Sequence, residues 1–175
     1  SSFKEMLKIF IVSSLVFYSC GRVKIPNEVA NAKIKLPEVI DFNLHIKPIL
    51  SDRCFACHGP DKNKREGDLR LDVAEGAYAA LTSGSGKAIV PGNLHKSELI
   101  HRILSTDQDL MMPPPGSNLF LNPEEIAMLI KWVEQGAAYQ PHWAFIAPEA
   151  PDVPLVKNQS WKPNNPVDNF IYATL

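Results

Sequence analysis

The stretch Cys54-Phe55-Ala56-Cys57-His58 constrains this chain more than any other. Two thiols stand three positions apart and an imidazole follows at once. That is the spacing for covalent attachment of c-type haem. Each thiol can add to one vinyl group, giving two thioethers along one edge of the porphyrin. With that edge fixed, the next side chain is held over the iron, and His58 becomes the proximal ligand.

Other chemistries fit the pentapeptide less well. A structural zinc site needs four ligands at set spacings. The remaining cysteine, Cys20, stands far upstream, and no His-x₃₋₅-His pair follows. A thioredoxin-like pair follows a strand and opens a helix, whereas an apolar helical segment precedes Cys54. A plain disulfide leaves His58 unexplained.

A second signal lies at Met111-Met112-Pro113-Pro114-Pro115. An electron-transfer haem needs a second axial ligand, and a Met thioether raises its potential relative to His/His ligation. Met is flexible, so a stiff proline run beside it helps to place the sulfur. Met112, next to the prolines, is the first candidate for the distal ligand, and Met111 is the alternative. His45, His95, His101 and His142 read as surface histidines; His95 or His101 is the rival should Met112 fail, and His45 and His142 are ligands only in principle.

At 175 residues the chain has room for one domain with flanking segments, and 45% hydrophobic content is that of a globular chain. A formal net charge of −1 offers no basic field for nucleic acid. With Cys54 and Cys57 given to haem, no pair of cysteines is left for a structural disulfide.

Residues 1–19 read as an export signal of lipoprotein type. Lys4 and Lys8 precede an apolar run from Ile9 to Phe17 that is too short to span a bilayer. Ser19-Cys20 resembles a bacterial lipoprotein cleavage site, which implies lipidation of Cys20 and a membrane anchor. Residues 20–40 read as a tether, 41–140 as the haem domain and 141–164 as a proline-rich linker.

Within the domain, Phe42, Ile46, Ile49 and Leu50 have helical spacing. Pro48 is tolerated only in a first turn, so this helix should start near His45 or kink. Residues 59–67 read as a solvated charged loop. Leu69 and Leu71 are placed to cover the haem, Arg70 to pair with a propionate and Asp72 to cap a helix running to Leu81. The Pro91 carbonyl is a candidate acceptor for the second ring nitrogen of His58. Ser97 should cap a helix with Leu99, Ile100, Ile103 and Leu104 on one face.

Asn122-Pro123-Glu124-Glu125 is a strong helix start, with a cap, a first-position proline and acids at the positive end. Its buried stripe is Ile126, Leu129, Ile130 and Val133, with Trp132 beside it, and Gly136 ends it. This helix should pack on the one before Cys54. His142-Trp143-Ala144-Phe145 is an aromatic cluster expected to fold back on the domain. Asn165-Pro166-Val167-Asp168 repeats the cap-plus-proline signal.

Taken together, Pro48 to Gly59, Leu69-Arg70-Leu71-Asp72, Ala88 to Gly92, Met112-Pro113-Pro114-Pro115, Glu124 to Ala137 and His142 to Phe145 resemble the planctomycete-type cytochrome c domain of large exported bacterial proteins. The resemblance runs from about Asp41 to Phe145. It implies haem c on Cys54 and Cys57, ligated by His58, with Met112 in the family's Met-Pro-Pro position. Trp161 and residues 165–175 look like the start of the further domain that follows in that family.

The expected fold is all-α and class-I-like: short helices around one haem. The expected function is extracytoplasmic one-electron transfer, without enzymatic activity in this segment, to or from a redox partner protein or that further domain. The alternative is a haem enzyme or ligand sensor, peroxidase-like, with a displaceable sixth ligand.

Overall fold

The computed structural model describes residues 23–156, 160 and 162–174. The proposed export signal, Cys20 and Trp161 lie outside them. The chain divides into two units, Ser1–Gln140 and Pro141–Leu175. Among the described residues the secondary structure is helical, with no strand; isolated bridges pair Lys87 with Ala80 and with Ser97. The all-α expectation holds.

In the first unit, α1 spans Asn27–Ile34. A π-helical turn over Phe42–Ile46 runs into α2, Lys47–Arg53. Asp41 caps the turn by accepting from the Leu44 N–H at 2.8 Å. The helical segment starts at Phe42, and its regular α part starts near His45, at Lys47, as expected. It begins wide, because Pro48 has no N–H for the carbonyl one α-turn back and its ring would strike that carbonyl. The wider turn opens the ladder there, and regular α geometry resumes with Pro48 near its start.

The sequence then supplies α3, Phe55–His58; α4, Ala74–Tyr78; and α5, Glu98–Ile103. The longest helix among the described residues, α6, covers Pro123–Glu134 and begins as its sequence demands. Asn122 Oδ1 accepts from the Glu125 N–H and Glu125 Oε2 accepts from the Asn122 N–H, both at 2.9 Å. Ala127, Leu129, Ile130, Trp132 and Val133 are buried on it. Gly136 takes φ +99° just past its end, where a side chain would be strained.

As expected, α6 meets the turn before α2: the Phe42 and Trp132 rings lie 5.9 Å apart. Tyr139 joins them, with centroids 4.6 Å from Phe42 and 5.3 Å from Trp132. The polar ends of this cluster are satisfied. Trp132 Nε1 donates to the Ala138 carbonyl at 3.0 Å and the Tyr139 hydroxyl to the Leu71 carbonyl at 2.9 Å.

Residues 23–40 do not form a free tether from Asn27 onward. The more extensive partner of α6 is α1. Val29 is buried, which contributes roughly 1.5–3 kcal/mol, and Lys33 Nζ donates to Glu134 Oε1 at 2.6 Å. Residues 37–40 are strapped along the same helix: Lys131 Nζ donates to the Pro37 carbonyl and Gln135 Nε2 to the Glu38 carbonyl, each at 2.6 Å, and the Ile40 N–H to Gln135 Oε1 at 2.9 Å. Polar residues disguise this segment, because few of its side chains are buried.

Two expected caps are used otherwise. Asp72 does not cap α4. Its carboxylate is held by the Arg70 guanidinium through both Nε and Nη2, and Val73 occupies the cap position. Ser97 does precede α5, but its buried hydroxyl turns away from the helix. It donates to the Asn93 carbonyl at 2.7 Å and accepts from the Val90 N–H at 2.9 Å, which ties residues 90–93 to the helix start.

In the second unit, α7 spans Pro166–Thr174. Asp168 Oδ2 accepts from the Asn164 and Asn165 N–H groups at 2.6 and 3.2 Å. Val167 and Ile171 on α7 are exposed. Phe145 is 85% exposed rather than buried, its ring 6.1 Å from that of His142.

Candidate haem cleft

The haem-motif residues sit where one helix breaks and another turn begins. The Cys54 N–H still donates to the Leu50 carbonyl of α2 at 2.9 Å, while the Cys54 carbonyl accepts from the His58 N–H at 2.8 Å. Glu66 then returns its N–H to the Cys57 carbonyl and Leu71 returns its N–H to the His58 carbonyl, each at 2.8 Å. The backbone of the pentapeptide is thereby fixed on both sides. Gly59 is required by close approach: a Cβ there would fall 2.3 Å from the Phe55 carbonyl oxygen.

The intervening loop is not the solvated turn its charges suggest. Arg65, with a side chain only 9% exposed, donates from Nε to the Gly59 carbonyl at 3.1 Å and from Nη2 to the Pro60 carbonyl at 3.0 Å. Charge hid this role, because the guanidinium is recruited by two backbone carbonyls as well as by the Asp68 carboxylate at 3.5 Å.

Cys54, Cys57 and His58 line one open, mostly apolar cleft. Met112, Pro113 and Pro114 line the same cleft, with Leu69, Leu71, Leu81, Leu99, Ile103 and Leu121 among its apolar lining. The two leucines expected to cover the haem are therefore in place. Met111, His45, His95 and His101 are absent from this lining. His45 Nδ1 accepts from the Asp41 N–H at 2.9 Å, and His101 Nε2 lies 2.7 Å from the His95 carbonyl.

Electrostatics fit a neutral donor set. Burial pushes the His58 imidazole below its ordinary pKa; the Glu66 carbonyl and carboxylate oppose this. Burial thus favours the neutral ring, the form that ligates iron. Its Nδ1 is buried and makes no hydrogen bond of normal geometry, an arrangement that costs about 1–3 kcal/mol. A ligating histidine normally donates its other N–H to a carbonyl. The expected bond to the Pro91 carbonyl is not made, because Nδ1 has no hydrogen-bond partner.

Burial also pushes the Cys54 thiol up to about 12, with Glu125 and Cys57 adding to the shift and Arg53 opposing it. A disulfide-exchange cysteine needs the opposite, a stabilised thiolate. Two thiols, a neutral imidazole and a thioether around an apolar cleft suit haem c, and do not suit a tetrahedral zinc ion.

The charged residues at the cleft are not those foreseen. Arg70 is committed to Asp72. Arg53 and Arg102 line the cleft instead. Arg53 donates to Glu125 Oε1 from Nε at 3.2 Å and from Nη2 at 3.1 Å, and its guanidinium stands 5.8 Å from the centre of the Phe120 ring. Glu125 thus serves the cap of α6 and the residue before Cys54 together. Arg102 Nε donates to Glu98 Oε1 at 2.8 Å. The i, i+4 spacing of Glu98 and Arg102 was the available signal for that pair.

Residues 54–116 match the family model described as planctomycete cytochrome C. No curated protein and no solved structure matches the chain.

Proposed function

We propose that this domain, whose residues 54–116 match the planctomycete cytochrome C family and its covalently bound haem c, is a one-electron carrier with His/Met ligation. Bound haem supplies the ferric–ferrous couple. The chain's own part is to hold and tune it. Cys54 and Cys57 provide the thioether sulfurs, His58 the proximal nitrogen and Met112 the distal sulfur, with Met111 as the alternative.

The observation that supports this assignment is the composition of one cleft: of the methionines and histidines weighed above, Met112 and His58 line it together with both thiols. Its leucines would keep water from a bound ring and favour the less charged ferrous state. A thioether acts in the same direction.

The setting of the reaction is part of the same reading. C-type haem is attached outside the cytoplasm, so the domain works in an extracytoplasmic space. A lipid on Cys20 would hold it to a membrane; among the described residues no helix is long and apolar enough to cross one. Electrons would pass to or from a redox partner protein. One observation favours a second reading, a ligand-binding or peroxidase-like haem: Met112 comes from a loop, not from a helix, so the sixth position can open.

An optical redox titration of the exported protein, with and without Met112→Ala, separates these readings. Electron transfer expects one reversible one-electron wave, a ferric Met–iron band at neutral pH, and loss of that band with a lowered potential in the variant. A high-spin wild-type spectrum that shifts when CO meets the ferrous form would favour the second reading.

A further inference from the structure

Met112 reaches the cleft from residues 104–112, a stretch outside the helices. Its position therefore depends on how that stretch is closed. The closing bonds converge on one residue, Arg102, in the last turn of α5. Its carbonyl accepts from the Ser105 N–H at 3.3 Å, where the chain leaves the helix, and from the Met112 N–H at 3.1 Å, where it returns. Its guanidinium Nη1 donates to the Leu110 carbonyl at 3.3 Å. Glu98, one helical turn back, receives the Nε of the same guanidinium at 2.8 Å and so aims it.

The rest of the loop is self-contained. The Leu110 and Met111 N–H groups both donate to the Asp107 carbonyl, at 3.1 and 2.8 Å. Arg102 itself is anchored, because its neighbours Ile100 and Ile103 are buried in the core.

We propose that Arg102, aimed by Glu98, is the positioning residue for Met112: it closes residues 103–111 into a loop and sets how readily the thioether leaves the iron. The inference rests on the reading of Met112 as the distal ligand. Two carbonyl bonds survive any side-chain change at position 102, so the side chain governs the hold on Leu110. A hydrogen bond from a charged donor is worth enough to change an opening equilibrium about tenfold. Lysine can reach one acceptor but cannot fork between Glu98 and Leu110.

The test uses the full-length exported holoprotein and two readouts, the apparent affinity of added imidazole for the ferric protein and amide hydrogen exchange. Imidazole binds only when the sixth position opens. Arg102→Gln is expected to tighten apparent imidazole binding about tenfold, to lower the potential, and to speed exchange at the Leu110, Met111 and Met112 amides while α6 stays protected. Arg102→Lys should fall between wild type and Arg102→Gln. Glu98→Gln should show the same pattern more weakly, and it serves if Arg102→Gln does not fold.

A merely structural role would speed exchange throughout the core and leave imidazole affinity unchanged; that result overturns the inference. So does wild-type behaviour in Arg102→Gln when Met112→Ala changes both spectrum and potential. If Met112→Ala changes neither, the ligand reading fails first and this inference falls with it.

Discussion

The stretch around Cys54, Cys57 and His58 and the stretch around Met112 line one cleft and are built in different ways. The first is a short helical turn whose backbone is bonded to α2 behind it and to residues 66 and 71 ahead of it. Its geometry is repeated in several independent bonds, so no one of them decides it. The second is a loop whose return to the fold depends on a single residue of α5. The difference follows the chemistry asked of each. Thioether formation is irreversible and needs both sulfurs placed once, whereas a methionine–iron bond is weak and its strength is tuned by how firmly the chain presents the sulfur. Changes on the first stretch should therefore decide whether cofactor is present. Changes on the second should decide its spectrum and potential.

The largest effect is expected from Cys54→Ala with Cys57→Ala. The exported variant should retain no haem after denaturation, read by pyridine haemochrome and by intact mass. Covalent haem persisting in that variant would remove the foundation of the account.

Glycines provide a finer contrast between the two stretches. Gly59→Ala would drive a Cβ against the Phe55 backbone oxygen, and such overpacking costs about 1–3 kcal/mol. Gly116, beyond Met112, has open space where its Cβ would stand. Gly116→Ala should be near neutral in thermal unfolding while Gly59→Ala lowers the midpoint. Equal effects would mean that the tight packing after His58 is wrongly described.

What the sequence discloses divides along the same line. The haem pentapeptide, the Asn122 cap, the apolar stripe of α6 and the end at Gly136 are local patterns, and each was legible because its physics is complete within a few residues. The preference for Met112 over Met111 also came from neighbours, the prolines. The misread parts depend on long-range partners. Residues 27–40 look like a polar tether because only Val29 and Ile40 of them are buried, and their backbone is held by Lys131 and Gln135 of α6, far along the chain. Arg65 looks solvated because backbone carbonyls, invisible in a charge pattern, recruit it. The roles of Arg53 and Arg102 depend on which helices enclose the cleft, and Asp72 fails as a cap because Arg70, two residues earlier, competes for it.

That last pair gives the smallest expected effect, and it lies away from the cleft lining. The Arg70 hydrogen bond holds the Asp72 carboxyl below its ordinary pKa. A depressed carboxylate adds stability that is complete above the unfolded value, about 3.9, and that fades as pH falls through the folded value. Asp72→Asn should therefore cost a little stability at neutral pH, and the difference from wild type should vanish in strong acid. A deficit that grew on acidification would have the wrong sign. Haem content and the Met–iron band should not change.

The central claim is that His58 and Met112 together bind one iron. Proton NMR of the reduced, exported protein tests it most directly, because a methionine on low-spin ferrous haem has its methyl resonance shifted far upfield by the ring current. The expected result is one such resonance, lost in Met112→Leu and retained in Met111→Leu. A low-spin, six-coordinate ferrous protein with no upfield methyl signal, or with one lost only in Met111→Leu, would contradict it.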